Sequence, residues 1–284
     1  MSRSMQERPG PMRAGLRSRI LFLLAVAIVL QLPRITAGKE TDGTAAIRVV
    51  FDNVVIDERL QSSWGFAAVI ETPGTNILFD TGSDGRILLS NMRQMRVAPR
   101  MIDLIFLSHA HGDHSGGLDA VLTEKPELPI YLSSSTLGVI RHGLPLGTRI
   151  IEMSAPTQIT TNIHSSGEMG SAPAEQALVI ETVEGLVVVT GCAHPGVALI
   201  AEKAKAQYDS EIYMLAGGFH LFRAKENTVR DVIARLKALG VRKVAPGHCT
   251  GKRAMQLFRE AWGEDFIEGG LGAVIPLPPL AGER

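Results

Sequence analysis

Cysteine is scarce in this chain: Cys192 and Cys249 are the two among 284 residues, too few for a disulfide framework. Neither charge is in excess, since 29 Lys and Arg balance 29 Asp and Glu. The basic residues are scattered outside the N-terminus, so nothing in the composition draws the protein to nucleic acid or to an anionic membrane. A small-molecule substrate is the partner class left, and the oligomeric state stays open. There is no Gly-x-Ser-x-Gly elbow and no P-loop, which excludes the usual serine nucleophile and the usual nucleotide cradle. No tandem repeat or low-complexity tract is present. Long apolar runs are also missing: the best, residues 20–33, would span about 20 Å as a helix at about 1.5 Å per residue. That falls short of the ~30 Å hydrocarbon core of a bilayer.

That run has a specific setting. Arg3, Arg8, Arg13, Arg17 and Arg19 precede it against a single Glu7, and Ile35-Thr36-Ala37-Gly38 follows with small residues. A basic segment, a short apolar segment and small residues in that order read as a secretory signal cut near Ala37 or Gly38. Export to the periplasm or medium is therefore expected. The rival is an uncleaved anchor that holds the protein at a membrane through residues 20–33. The organisation read from the sequence is residues 1–38 as signal or anchor, 39–46 as linker, 47–275 as one domain and 276–284 as a flexible tail. With 45% hydrophobic residues, the chain can bury a large core as one domain of the α/β kind.

The richest chemistry lies in Ser108-His109-Ala110-His111-Gly112-Asp113-His114-Ser115-Gly116-Gly117, directly after the apolar run 102–107. Such a run reads as a buried strand, which places the cluster at a strand end. His109 and His111, two apart, can point the same way off an extended chain. A bend at Gly112 turns Asp113 and His114 towards a second point. Imidazole and carboxylate together suit zinc, iron or manganese, and two such pairs suit two ions. The same arrangement of strand, Gly-flanked histidine and helix recurs at Gly191-Cys192-Ala193-His194, at Gly218-Phe219-His220 and at Gly247-His248-Cys249. Both cysteines thus stand beside candidate ligand histidines, or else are small buried residues at tight turns.

Around these motifs, β-branched and apolar runs predict strands at 47–51, 54–56, 66–71, 76–80, 129–132, 177–182, 186–190, 212–216, 241–245 and 266–275. Helices are expected at 87–95, 118–122, after Ser133, at 197–208, from a Thr228 cap to residue 239, and at 254–262. Residues 165–174 read as a flexible loop over the site. His142 and His164 have no ligand type beside them and read as surface or rim histidines.

His-x-His-x-Asp-His after an apolar strand resembles the signature of the metallo-β-lactamase-fold superfamily. The Gly-Cys-Ala-His-Pro-Gly, Gly-Gly-Phe-His-Leu and Pro-Gly-His-Cys-Thr-Gly segments resemble a branch of it. That branch includes the methanopterin-pathway dihydropterin–ribofuranosylaminobenzene-phosphate synthases and uncharacterised metallo-hydrolases. The resemblance spans residues 47–275 and implies an α/β fold, a four-layer αββα sandwich. It implies His109, His111, Asp113 and His114 as metal ligands, His248 as the late histidine of a second metal, and His194 as a ligand of the first. Asp80, in Leu-Phe-Asp-Thr-Gly, would lie beneath the metal loop and hold a ligand histidine's second nitrogen. One departure stands out. Many members carry a metal-bridging aspartate after Thr-Gly, where this chain has Cys192. Either Cys192 takes that place as a thiolate, or His194 and His220 supply ligands from neighbouring turns.

One or two divalent metal ions are expected, zinc foremost, with iron or manganese also suited. The function that follows is a metal-dependent hydrolase using a metal-bound hydroxide on an ester, thioester, phosphoester or amide. Asp113 would orient the water or receive its proton. Two alternatives stand beside it: a transferase like the branch's synthases, and a non-catalytic metal-binding or redox-sensing module built on Cys192 and Cys249.

Overall fold

The computed structural model describes residues 45–282; the signal or anchor and most of the linker lie outside the described residues. Strands β1 (Ala46–Phe51), β2 (Ala67–Thr72) and β3 (Thr75–Phe79) come first. Then follow α1 (Gly85–Gln94), β4 (Leu104–Phe106), the single turn α2 (Gly112–Ser115), α3 (Leu118–Glu124), β5 (Ile130–Leu132), α4 (Ser134–Ile140) and β6 (Ile150–Glu152). The second half supplies β7 (Thr157–Thr160), β8 (Ile163–Ser165), β9 (Leu178–Thr182), β10 (Gly185–Thr190), α5 (Val197–Tyr208) and β11 (Ile212–Gly218). It ends with α6 (Glu226–Ala238), β12 (Lys243–Gly247), α7 (Lys252–Trp262) and β13 (Val274–Pro276).

The strands form a seven-stranded sheet, β13-β1-β2-β3-β4-β5-β6, and a six-stranded sheet, β12-β11-β10-β9-β8-β7. Alternation along each strand makes the layers. Ala68 and Ile70 of β2 meet Val187 and Val189 of β10 in the core between the sheets. The intervening Ala67 and Val69 pack outward with Leu88, Met92 and Val121 of α1 and α3. Leu186 and Val188 pack outward with Ala198 and Ala201 of α5 and Phe258 of α7. Strands buried on both faces are apolar throughout, which is why these runs are unbroken in the sequence. The result is the expected four-layer αββα sandwich.

The sheet directions position the site. β1 and β3 are both antiparallel to β2, so they run the same way, and β4 is parallel to β3. β10, β11 and β12 are mutually parallel in the other sheet. Each of these strands delivers its following turn to one end of the sandwich, where Asp52, Asp80, the 108–114 loop, Cys192, His220 and His248 stand.

Several local expectations are corrected. Residues 54–56 form a single bridge, Val55 to Leu271, because the Asp52 carboxylate accepts the Val54 N–H at 2.7 Å and turns the chain. Helix α6 starts at Glu226 with Lys225 flanking it, so Thr228 is inside the first turn and caps nothing. Of the predicted 266–275 strand, residues 274 and 275 belong to β13 and pair with β1, while Phe266 and Leu271 make single bridges to Val244 and Val55. The linker gives way to structure at Ala46, which opens β1. The tail is not free over its described part: Leu277 and Leu280 are buried in the inter-sheet core, and Leu280 bridges to Thr182. The 165–174 segment is tied down. Ser165 Oγ donates to Gln176 at 2.7 Å, and Met169 and Glu175 exchange backbone hydrogen bonds at 2.9 Å. His164 is buried on β8, 2.6 Å from Glu181, rather than on the surface, whereas His142 is exposed.

Candidate metal centre

The turns after β4, β10 and β12 bring two donor groups together. Asp113, His114, Cys192 and His248 offer ligand atoms within 4.8 Å of one another, and so do His109, Cys192 and His194. Cys192 belongs to both. His111 joins the second group, its Nδ1 3.1 Å from His109 Nε2 and its ring 4.9 Å from that of His194. His220 is exposed and lies farther along the rim. Its ring is 4.3 Å from His194, and it forms a third grouping with Cys192 and Cys249.

Buried carboxylates beneath the site choose the tautomers. Asp80 accepts the Ser108 N–H and the Ser108 hydroxyl, each at 2.7 Å, and the His114 Nδ1–H at 2.7 Å. With its proton given to Asp80, Ser108 Oγ accepts from His109 Nδ1 at 2.9 Å. One carboxylate therefore aims the Nε2 lone pairs of both His114 and His109 into the site, the role that outer partners of metal ligands serve. His114 Nε2 faces Cys192 Sγ at 3.2 Å. At His248, Asn53 Nδ2 donates to the backbone carbonyl at 3.1 Å, so its amide oxygen accepts from Nδ1 at 2.9 Å. That too leaves Nε2 facing inward. Asp80, His220 and His248 have φ of 55°, 51° and 45°, left-handed backbone at which Asp and His are among the tolerated residues. Such conformations persist where the surroundings hold them.

Glu175, Asp52 and Asn53 escaped the sequence reading. Glu175 is fully buried, and its Oε1 accepts the N–H groups of Gly191, Cys192 and Ala193 at 2.9–3.0 Å. Its Oε2 accepts that of His194 at 2.8 Å. It shapes the whole turn that carries Cys192 and His194. Asp52 does the same for His248, accepting its N–H at 3.0 and 3.1 Å. The available signal was position: Asp52 follows an apolar strand directly, as Asp80 does.

Electrostatics favour the neutral imidazole at His109 and His194. Burial, then the neighbouring His114 and His194, push His109 far below the ordinary histidine range. Burial and His220 bring His194 down to about 4. His114 is raised by Asp80 in spite of its burial. Asp113, partly buried, is nonetheless held below the usual carboxylate range by His248 and His114. Burial raises Asp52 to about 8 and also raises Glu175. Two atoms decide the fit. His194 Nε2 and His248 Nε2 are buried with no hydrogen-bond partner, an expensive arrangement for a polar nitrogen unless a cation receives the lone pair. One donor from each group is thus left for a divalent metal.

Similarity to known proteins points the same way. The profile of the metallo-beta-lactamase superfamily matches residues 65–141, the stretch that contains the His-x-His-x-Asp-His loop. The chain is 30% identical over 263 residues to the 7,8-dihydropterin-6-methyl-4-(beta-D-ribofuranosyl)-aminobenzene-5'-phosphate synthase of Methanocaldococcus jannaschii, covering 76% of this chain and 90% of that protein. It is 27% identical over 185 residues to the exodeoxyribonuclease WalJ of Streptococcus pneumoniae, covering 60% and 68%. Among solved structures, Tm1679, described as a metal-dependent hydrolase of the beta-lactamase superfamily, superposes with a TM-score of 0.70 at 25% identity, covering 82% of this chain and 99% of that one. The loop, the sandwich that carries it and the relative matched along nearly its whole length place this chain in the metallo-β-lactamase superfamily.

Proposed function

We propose that the protein is a metal-dependent hydrolase that holds two divalent cations and cleaves a small-molecule ester, thioester, phosphoester or amide. The observation that supports this reading is the convergence of two donor groups on one shared thiol, Cys192, each group with an orphaned imidazole nitrogen. His109, His111, His194 and Cys192 would hold one ion; Asp113, His114, His248 and Cys192 would hold the other. Bound there, such cations supply activated water near neutral pH and Lewis acidity towards a carbonyl or phosphoryl oxygen.

The chain's own groups supply the rest. Asp113 Oδ2 lies 3.4 Å from His248 Nε2 and 3.7 Å from His114 Nε2. With 20% of its side chain exposed, it is the ionised carboxylate on the open side of the centre. It is placed to orient a water molecule and to take a proton from it. His109 and His194 stay neutral at working pH and keep their lone pairs for binding. Asp80, Glu175 and Asp52 fix the ligand turns before substrate arrives, which removes reorganisation from the reaction.

A second reading, a transferase that joins two substrates, is favoured by the identity to the Methanocaldococcus jannaschii synthase. Elemental analysis of purified protein, followed by assay of 4-nitrophenyl acetate, bis(4-nitrophenyl) phosphate, an acyl thioester and a β-lactam with and without chelator, tests the proposal. Two divalent ions per chain and turnover lost on chelation are expected. Metal-loaded protein inert on the whole panel would favour the transferase. A folded, purified protein that takes up no divalent metal would overturn both.

A further inference from the structure

Two large aromatic side chains stand exposed at the lip of the metal centre, where neither ligation nor core packing uses them. Trp64 is 46% and Phe222 42% exposed. Their rings meet edge to face at 5.6 Å. Trp64 lies 4.9 Å from the His248 ring, and Phe222 lies 5.6 Å from the His220 ring, itself 4.3 Å from His194. The pair therefore lines the rim from one donor group to the other.

Both are held in place by backbone. Trp64 precedes Gly65, which has φ +140° and no room for a Cβ against the Asp113 carbonyl oxygen. The Phe66 N–H donates to that oxygen at 3.1 Å, and Ser83 Oγ donates to the Trp64 carbonyl at 2.6 Å. On the other side, the N–H groups of Leu221 and Phe222 both donate to the Cys249 carbonyl at 3.1 Å. The Arg223 guanidinium sits 5.2 Å from the Phe222 centroid. Exposed aromatic rings fixed in advance beside a reaction centre gain free energy by stacking a flat ring, and much less from a puckered aliphatic one of equal size.

We propose that Trp64 and Phe222 are specificity-determining residues, and that the substrate carries a planar aromatic ring next to its scissile group. The proposal rests on the metal centre being the substrate site.

Phenylphosphonate and cyclohexylphosphonate test it. They carry the same anionic group on rings of similar size, so attraction of the phosphonate to the metals cancels in the ratio of affinities, and neither has an ester bond to hydrolyse. Calorimetric titration of the zinc-loaded full chain is expected to show phenylphosphonate binding about tenfold more tightly, as one stacked ring warrants. Trp64 fluorescence should change with the aryl probe, since the other tryptophan, Trp262, is only 5% exposed. W64A and F222A should bring the ratio close to one with metal content intact, and W64F should restore most of it. A ratio near one in the wild type, no measurable binding of either probe, or a ratio unaltered in the W64A/F222A double variant overturns the proposal. Hydrolysis is read separately. An aryl preference with no turnover of any ester would remove the hydrolase reading and leave the subsite, and turnover without the preference would do the reverse.

Discussion

Replacing Glu175 by glutamine should cripple one metal position and spare the other. The carboxylate receives three N–H groups on Oε1 and one on Oε2. An amide can offer a single oxygen. Its best orientation serves Gly191, Cys192 and Ala193 and sets an NH2 against the His194 N–H, so one charge-assisted bond is lost and two donors collide. Such a loss costs about 1.5–3 kcal/mol. Relief of the buried charge, whose cost is visible in the raised carboxyl pKa, offsets part of that. A net loss of about 2 kcal/mol should lower the melting temperature by roughly 4–8 °C in a domain of this size. The larger effect is on ligation, because the displaced turn carries His194. Disturbing an outer partner typically weakens metal binding by about 10–100-fold. Zinc titration against a fluorescent chelator should therefore show one equivalent weakened by about that factor. The equivalent bound through Asp113, His114 and His248 should be nearly unchanged. Two equivalents of wild-type affinity, or equal weakening of both, would mean that Glu175 does not set the position of His194.

Cys192→Ser should remove the shared donor without disturbing the backbone contacts to Glu175. Cobalt-loaded wild-type protein should show a thiolate-to-metal absorption band that the variant lacks, with the second ion bound at least about tenfold more weakly; a band of unchanged intensity would exclude Cys192 as a ligand. Asp52, raised to about 8 by burial, holds a proton in the folded protein that the unfolded chain has released above its ordinary carboxylate pKa. At this group the folded state thus binds more protons between those values, so the Asp52 contribution to the stability of metal-free protein should fall as pH rises from about 4 to 8. Asp52→Asn should flatten that slope, read as the pH dependence of the denaturation midpoint in chelator, and an identical slope in both proteins would count against a protonated Asp52. Leu280→Ala, at a side chain only 4% exposed, should cost about 2–5 kcal/mol; a change under about 0.5 kcal/mol would mean that the C-terminal segment is not part of the core.

What could be read in advance followed from how short-range the signals are. Strands buried on both faces appear as unbroken apolar runs, so β2, β9, β10 and β11 were visible within a residue or two of their true ends. The candidate ligand histidines were visible because each lies in a short glycine-containing turn that directly follows such a run. Residues 54–56 misled for the same reason: Val54-Val55-Ile56 has strand composition, but the Asp52 side chain takes the first N–H and diverts the chain. Leu277 and Leu280 looked like a tail because two leucines among prolines show no period, and only the completed sheets reveal the gap that they fill. Glu175 was hidden for a different reason. Its partners are backbone N–H groups 16–19 residues away, and a carboxylate that binds main chain leaves no complementary side chain in the sequence to announce it.

Three buried carboxylates stand behind the candidate ligand turns. Each holds one ligand turn from behind: Asp80 the loop of His109 and His114, Glu175 the turn of Cys192 and His194, and Asp52 that of His248. Their oxygens face N–H and O–H donors, so they order the turns and leave the inner positions to imidazoles, Asp113 and Cys192. Buried acids are costly in an apolar interior, and one of them, Glu175, together with Asp113 raises the pKa of the Cys192 thiol beyond what Cys249 and burial impose. A divalent cation held by these residues would reverse that balance, since a coordinating thiol is deprotonated outright. Glu175 and Asp113, which help to keep the thiol protonated in the empty centre, would then be groups that favour its loading. Turns shaped in this way would bind metal and gain stability in a single linked step.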